Sequence, residues 1–210
     1  MARFIYKYGA MNCGKTTQLL QNAHQYTEIG DKVLILKPAK DKKGDTKIVS
    51  RIGASQEVDY LISPRDNIIR LITEGDNVLT SCIMVDEAQF LTPTQVEQLR
   101  LIVSKFDIDV FAYGLRTDFK TKAFPGSIRL MELCDKMEEI NQSLCECGEP
   151  AIFNARFVNG KMVTEGAQVA IDGFDSVTYK PMCAKCYYLK KAVTEEKPLM
   201  RSKKKHNDLH

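Results

Sequence analysis

The sequence predicts an α/β fold, a parallel sheet with helices on both faces, followed by a small zinc-binding β-rich subdomain. Three observations carry this prediction. Short apolar runs alternate with segments of helical periodicity over roughly the first two-thirds of the chain, the pattern that βαβ units produce. A glycine-bearing phosphate-loop motif lies at the first strand-to-helix junction. Two close cysteine pairs bracket a segment rich in turn signals near the other end.

The first strand is Arg3-Phe4-Ile5-Tyr6-Lys7-Tyr8, where polar and apolar residues alternate. Gly9-Ala10-Met11-Asn12-Cys13-Gly14-Lys15-Thr16 follows and matches G-x-x-x-x-G-K-[ST]. Its chemistry is the wrapping of backbone N–H groups around an anion. Gly9 and Gly14 are expected to supply the permissive backbone angles, Lys15 to reach the outer phosphates of a nucleotide, and Thr16 to ligate Mg²⁺. Leu19, Leu20, Ala23 and Tyr26 then recur at helical spacing, so the loop opens onto a helix N-terminus whose partial positive charge favours an anion. These features make the fold P-loop NTPase-like.

Residues 32–36 read as a short buried strand, and the polar stretch 38–53 as a long loop near the active site. Alternation over 57–62 predicts a strand, and Ile68, Ile69, Leu71 and Ile72 predict a helix ending at Gly75. The apolar run 78–85 is the next strand, closed by Asp86-Glu87-Ala88-Gln89-Phe90. A strand ending in a carboxylate is what a phosphate loop needs as a partner for Mg²⁺. Asp86 supplies it, and Glu87 is placed to take a proton from an attacking hydroxyl. Thr92 as N-cap and Pro93 in the first turn start a helix through Val96, Leu99 and Ile102. A strand over 108–113, a loop over 114–127, a short helix and a strand over 136–140 complete the unit.

Composition sets the class. The chain has 210 residues, 44% hydrophobic and 27% charged, a globular balance with room for one full domain and an appendage. Boundaries are expected at 1–142 for the nucleotide-binding domain, 143–192 for the zinc-binding unit and 193–210 for a basic, disordered tail. Residues 190–210 hold seven Lys or Arg against three Asp or Glu, more than the whole net charge of +3, so the body is slightly acidic. A body of that sign argues against nucleic-acid binding, and the absence of an apolar run of bilayer length argues against a membrane. A cytoplasmic location is expected.

Seven cysteines in such a protein suggest thiols or metal rather than a disulfide framework. Cys13, Cys82 and Cys134 are single and read as small core or loop residues. Cys145, Cys147, Cys183 and Cys186 form two close pairs. Four thiolates from two turns meet the requirement of a closed, structural Zn²⁺ site. Between them, 151–157, 161–164 and 168–171 read as strands separated by Asn159-Gly160 and Asp172-Gly173 turns.

Taken in order, the phosphate loop, Lys37-Pro38-Ala39-Lys40-Asp41, Asp86-Glu87-Ala88-Gln89-Phe90, Tyr113-Gly114-Leu115-Arg116-Thr117-Asp118-Phe119 and the cysteine pairs resemble the type II thymidine kinase family over about residues 2–190. The resemblance implies a phosphate-loop domain with a zinc-stabilised lasso, and transfer of the ATP γ-phosphoryl group to the 5′-hydroxyl of thymidine. It makes Glu87 the general base, with Asp86 and Thr16 serving Mg²⁺ and Gln89 beside them at the ATP site. Met11, Asp41, Phe90, Leu115, Phe119, Phe124, Asn154 and Tyr179 would surround the nucleoside. A homotetramer and feedback inhibition by dTTP are further implications. The chain departs from the family at Lys43, where an Arg is typical, and at Asn154, where some relatives have Thr.

Two other classes compete. A nucleic-acid-dependent ATPase would use Asp86-Glu87-Ala88-Gln89 as a motor box, but it needs a second core domain for which the length leaves no room. A regulatory nucleotide-binding module would have no use for both Asp86 and Glu87 beside an intact Lys15-Thr16.

Overall fold

The computed structural model describes residues 1–39, 46–50, 52–74, 80–168 and 177–195. The expected roles of Asp41 and Lys43, the Asp172-Gly173 turn and the tail from 196 lie outside these residues. Among the described residues, six strands form a parallel sheet in the order β5-β2-β6-β7-β1-β8. They are β1 (Phe4–Tyr8), β2 (Val33–Pro38), β5 (Tyr60–Ile62), β6 (Cys82–Val85), β7 (Asp109–Gly114) and β8 (Lys136–Glu139). Side chains on alternate positions go to opposite faces, and both faces are apolar. Ile5, Ile35, Met84 and Phe111 pack beneath helix α1 (Lys15–Glu28) through Leu19 and Ala23. Tyr6, Leu34, Leu36, Val85 and Val110 pack on the other face against α2 (Ile68–Thr73), α3 (Pro93–Phe106) and α4 (Pro125–Leu133). Strands buried on both faces are near-continuous apolar runs, which is why this sheet was readable.

Helix α3 starts where its capping residues dictate. Thr92 Oγ1 accepts the Gln95 N–H at 3.2 Å, and Gln95 Oε1 accepts the Thr92 N–H at 3.0 Å, with Pro93 at the first position. Gln95 also donates to the Ser63 carbonyl at 2.7 Å, tying the cap to the segment before α2. Thr92→Ala should therefore lower stability by about 1 kcal/mol, read as a shift in the urea midpoint at unchanged slope.

The stretch expected as a loop over 38–53 contains a strand instead. β3 (Lys47–Val49) pairs antiparallel with β4 (Ser55–Glu57), in register Lys47 to Glu57 and Val49 to Ser55. Ile48 holds this hairpin in place: it is 1% exposed and inserts into the core on the α1 side. The expected strand over 57–62 is thereby divided, and β5 begins at Tyr60. Between them Asp59 pins the chain to β2, accepting the Ile35 N–H on Oδ2 at 2.7 Å and donating its own N–H to the Ile35 carbonyl at 2.9 Å.

The second unit is a three-stranded antiparallel sheet, β10-β9-β11, made of β9 (Phe153–Val158), β10 (Lys161–Val163) and β11 (Val177–Met182). Asn159 and Gly160 both have positive φ, 49° and 76°, and join Val158 to Lys161, as the two-residue hairpin signal requires. The third strand is β11; of the strand expected over 168–171, Gln168 lies in a bend and the other three residues lie outside the described residues. Pro181 is tolerated in β11 because that strand is an edge. Helix α5 (Ala184–Thr194) was not expected at all, and it continues two residues past the boundary drawn at 192. None of the helices is long and apolar enough to cross a membrane, among the described residues.

Candidate functional site

The phosphate loop joins β1 to α1 at the carboxyl edge of the sheet. Gly14 adopts φ 82°, as expected, but the second left-handed residue is Asn12, at φ 67°. Asn tolerates that region better than most side chains. Gly9 is required for space instead: a Cβ there would run into the Ile140 carbonyl and Cys13 Sγ. The N-cap residue of α1 is Gly14, which has no side chain to offer the N–H groups of the first turn, so these can serve an anion. Lys15 Nζ is held over the loop by the carbonyls of Ala10 at 2.8 Å and Gly9 at 3.4 Å.

The carboxylates stand at the end of β6. Asp86 is 6% exposed, and its Oδ1 accepts the Glu87 N–H at 3.0 Å. Burial, and then the neighbouring Glu87 charge, push its carboxyl up to about 6 from 3.8. The folded pKa exceeds the unfolded one, so ionising Asp86 costs stability. That cost is fully present above about pH 6 and vanishes as pH falls towards 3.8. In zinc-replete protein free of Mg²⁺ and nucleotide, Asp86→Asn should therefore stabilise by up to about 3 kcal/mol at pH 8, with the gap closing between pH 6 and 4. Melting temperatures across that range would show it, and a pH-independent difference would exclude it.

Glu87 sits at φ 51°, which turns its side chain away from the strand direction. Gln89, 1% exposed, clamps it: its Nε2 donates to Glu87 Oε2 at 2.5 Å, while its Oε1 accepts the Leu115 N–H at 3.0 Å. Gln89 therefore connects the carboxylate to the loop after β7. That loop must approach closely, since a Cβ on Gly114 would lie 2.8 Å from Gln89 Oε1.

These elements surround a cleft of about 520 Å³, an ordinary volume for a small-molecule site. Met11 to Thr17, Glu87 and Leu115 line it together with Val49, Ser50, Ile52 and Gln142. The stretch 38–53 was expected near the active site, and Val49, Ser50 and Ile52 from it do line the cleft, whereas Gln142 was not anticipated. Ser50 is 3% exposed, and its Oγ has no hydrogen-bond partner among the described residues.

The residues expected around the nucleoside divide. Met11 and Leu115 line the cleft. Phe90 and Phe124 pack edge to face on each other with centroids 5.5 Å apart. Phe119 is 1% exposed beneath the Arg156 guanidinium, 3.5 Å from its ring centre. Tyr179 on β11 is half-buried, its ring centre 5.8 Å from the Arg156 guanidinium carbon. Asn154 is buried on β9 and accepts the Met11 N–H. Arg156 and Lys120, neither of them anticipated, join the loop after β7 to the small unit. Arg156 Nη2 donates to the Ala167 carbonyl, and Lys120 Nζ donates to the Gly166 carbonyl at 2.7 Å. Tyr187 of α5 completes the junction, its hydroxyl donating to the Phe119 carbonyl at 2.6 Å.

Cys145, Cys147, Cys183 and Cys186 converge, with all four sulfurs within 4.8 Å of one another. Tetrahedral Zn²⁺ at about 2.3 Å from each thiolate places sulfurs about 3.8 Å apart, so a small contraction of this cluster fits the ion. The second pair is not in a turn, as expected, but opens α5. Cys183 is the N-cap residue, and its sulfur accepts the Cys186 N–H at 3.4 Å. Four cysteine ligands would leave such an ion no open position, the arrangement of a structural rather than a catalytic centre.

The comparisons agree with this geometry. The thymidine kinase family pattern matches residues 2–187. A thymidine kinase of Ruegeria pomeroyi is 43% identical over 188 residues, covering 88% of this chain and 93% of the relative. One from Shewanella oneidensis is 43% identical over 189 residues, covering 88% and 96%. One from Enterobacteria phage T4 is 42% identical over 187 residues, covering 88% and 95%. A match across both the phosphate-loop sheet and the four-cysteine unit, at this identity, leaves one conclusion: the chain belongs to the thymidine kinase family.

Proposed function

We propose that this chain is an ATP-dependent thymidine kinase that transfers the γ-phosphoryl group to the 5′-hydroxyl of thymidine and yields dTMP. The observation that carries the proposal is the family match over 2–187 together with one cleft bounded by the phosphate loop and Glu87. Phosphoryl transfer asks little covalent chemistry of a protein; it asks for positioning and charge stabilisation. Lys15 and the free amides of α1 hold the phosphates. Thr16 and Asp86 offer hard oxygen donors of the kind Mg²⁺ takes, and bound there it would neutralise charge on the outer phosphates. Glu87, fixed by Gln89, accepts the proton of the 5′-hydroxyl. Met11 and Leu115 are placed against the nucleoside, with Phe90, Phe119, Phe124 and Tyr179 supporting the pocket around it. The cysteine cluster holds structural zinc, which keeps β9, β10 and β11 folded beside the site.

The resemblance supports three further assignments: dTTP as feedback inhibitor, a homotetramer, and action in the cytoplasm. Exposed apolar Leu101 on α3 and Ile128 on α4 are side chains that subunit contact would cover. The activity is tested by ADP release from Mg–ATP with thymidine, deoxyuridine, deoxycytidine or single-stranded DNA, with the product identified. Thymidine-dependent formation of dTMP is expected. Turnover stimulated by DNA alone would replace this proposal with a nucleic-acid-dependent ATPase.

A further inference from the structure

We infer that Asn154 and Ser143 are positioning residues that lock the Met11 peptide groups of the phosphate loop, so that the small β unit sets the geometry of the nucleotide site. The inference rests on reading the cleft as an ATP site. Met11 donates its N–H to Asn154 Oδ1 at 2.8 Å, and its carbonyl accepts from Ser143 Oγ at 2.6 Å. Both groups of one loop residue are thus held by side chains 143 and 132 positions away. Asn154 and Ser143 are each 4% exposed, so water does not compete for these bonds.

The two holding residues belong to the second unit. Asn154 lies in β9 opposite Pro181 of β11. Ser143 stands two residues before Cys145, and its carbonyl accepts the Ala151 N–H at 2.9 Å. The point they grip is also well chosen mechanically. Met11 immediately precedes Asn12, whose φ of 67° is left-handed, so the loop turns its amides inward just after the gripped residue. A loop in such a conformation needs its entry fixed from outside, and amides aimed at phosphate lose affinity when displaced by fractions of an ångström. The resemblance instead sets Asn154 beside the base. Its acceptor oxygen, however, is committed to the loop backbone.

The test uses the full-length, zinc-loaded protein and the variants Ser143→Ala, Asn154→Leu and Asn154→Asp. Mg–ADP affinity is measured by displacement of a fluorescent nucleotide, beside kcat, thymidine KM and melting temperature. Ser143→Ala and Asn154→Leu are each expected to weaken Mg–ADP about tenfold, the effect of one well-formed buried hydrogen bond, with a smaller rise in thymidine KM because Met11 also lines the cleft. Asn154→Asp keeps the acceptor and should retain more affinity than Asn154→Leu, even with its added charge. Unchanged Mg–ADP affinity with a raised thymidine KM would overturn the inference and make Asn154 a base contact. Equal weakening in all three variants, in step with melting temperature, would overturn it in favour of plain destabilisation. Variant-sensitive Mg–ADP binding in a protein that does not phosphorylate thymidine would support the clamp and sink the thymidine assignment.

Discussion

Glu87→Gln is expected to lower kcat by about 10²- to 10⁴-fold while leaving Mg–ADP affinity within about twofold of the parent. The substitution changes little besides basicity. Gln is nearly isosteric with Glu, tolerates the same backbone position, and can still accept a hydrogen bond from Gln89 Nε2. The phosphate loop, Lys15 and Thr16 are untouched, so nucleotide binding has no reason to fall. What is lost is the acceptor for the 5′-hydroxyl proton at the wall of the cleft. Single-turnover rates beside nucleotide displacement separate the two effects. Parental turnover in the variant would remove Glu87 from the base role and leave it a structural carboxylate at the end of β6.

The second large effect is on the fold. Stripping zinc with a strong chelator should abolish protection of the backbone amides in β9, β10 and β11 while β1, β6 and β7 keep theirs. The small unit has a core of few residues, chiefly Ala155, Phe157, Met162, Met182 and Tyr187 with the cysteines themselves. Such a core is too small to stand alone, and structural zinc contributes about 10–16 kcal/mol of apparent binding energy to domains of this kind. The six-stranded sheet has separate clusters on its two faces and does not draw on that energy. Hydrogen exchange followed by mass spectrometry reads both regions in one experiment. Cooperative loss of the whole fold at a single chelator-dependent transition would contradict this two-part stability.

Much of this molecule was legible because its signals are local. The phosphate loop, Asp86-Glu87, the Thr92 cap and the Asn159-Gly160 turn each compress their physics into a few adjacent residues. What escaped depends on distant approach. β3 and β4 are three residues each, too short to show a period, and they exist because Ile48 finds the core beneath α1. Gln142 comes to line the cleft through the path of the chain, and nothing in its neighbourhood in sequence marks it, whereas Ser50 and Ile52 lie in the stretch expected near the active site. Helix α5 was obscured because its first turn was read as part of a metal knuckle. Gly9 was given the right importance for the wrong reason, since its need is space rather than a special angle. Asn154 is the same kind of case: the resemblance located it, but its hydrogen-bond partner is visible only in three dimensions.

The strand order also governs when the protein can first work. β1 pairs with β7 and β8, with Phe4 opposite Val110 and Ile5 opposite Lys136, whereas β2 pairs with the nearer β5 and β6. During synthesis at about 5–20 residues per second, β1 and the loop behind it therefore wait on the order of 5–20 s for their neighbours to be made. Until then the apolar Phe4, Ile5 and Tyr6 have no sheet to join. A chaperone that shields nascent chains would have its chief task in that interval, and a translational pause placed between β1 and β7 would lengthen it.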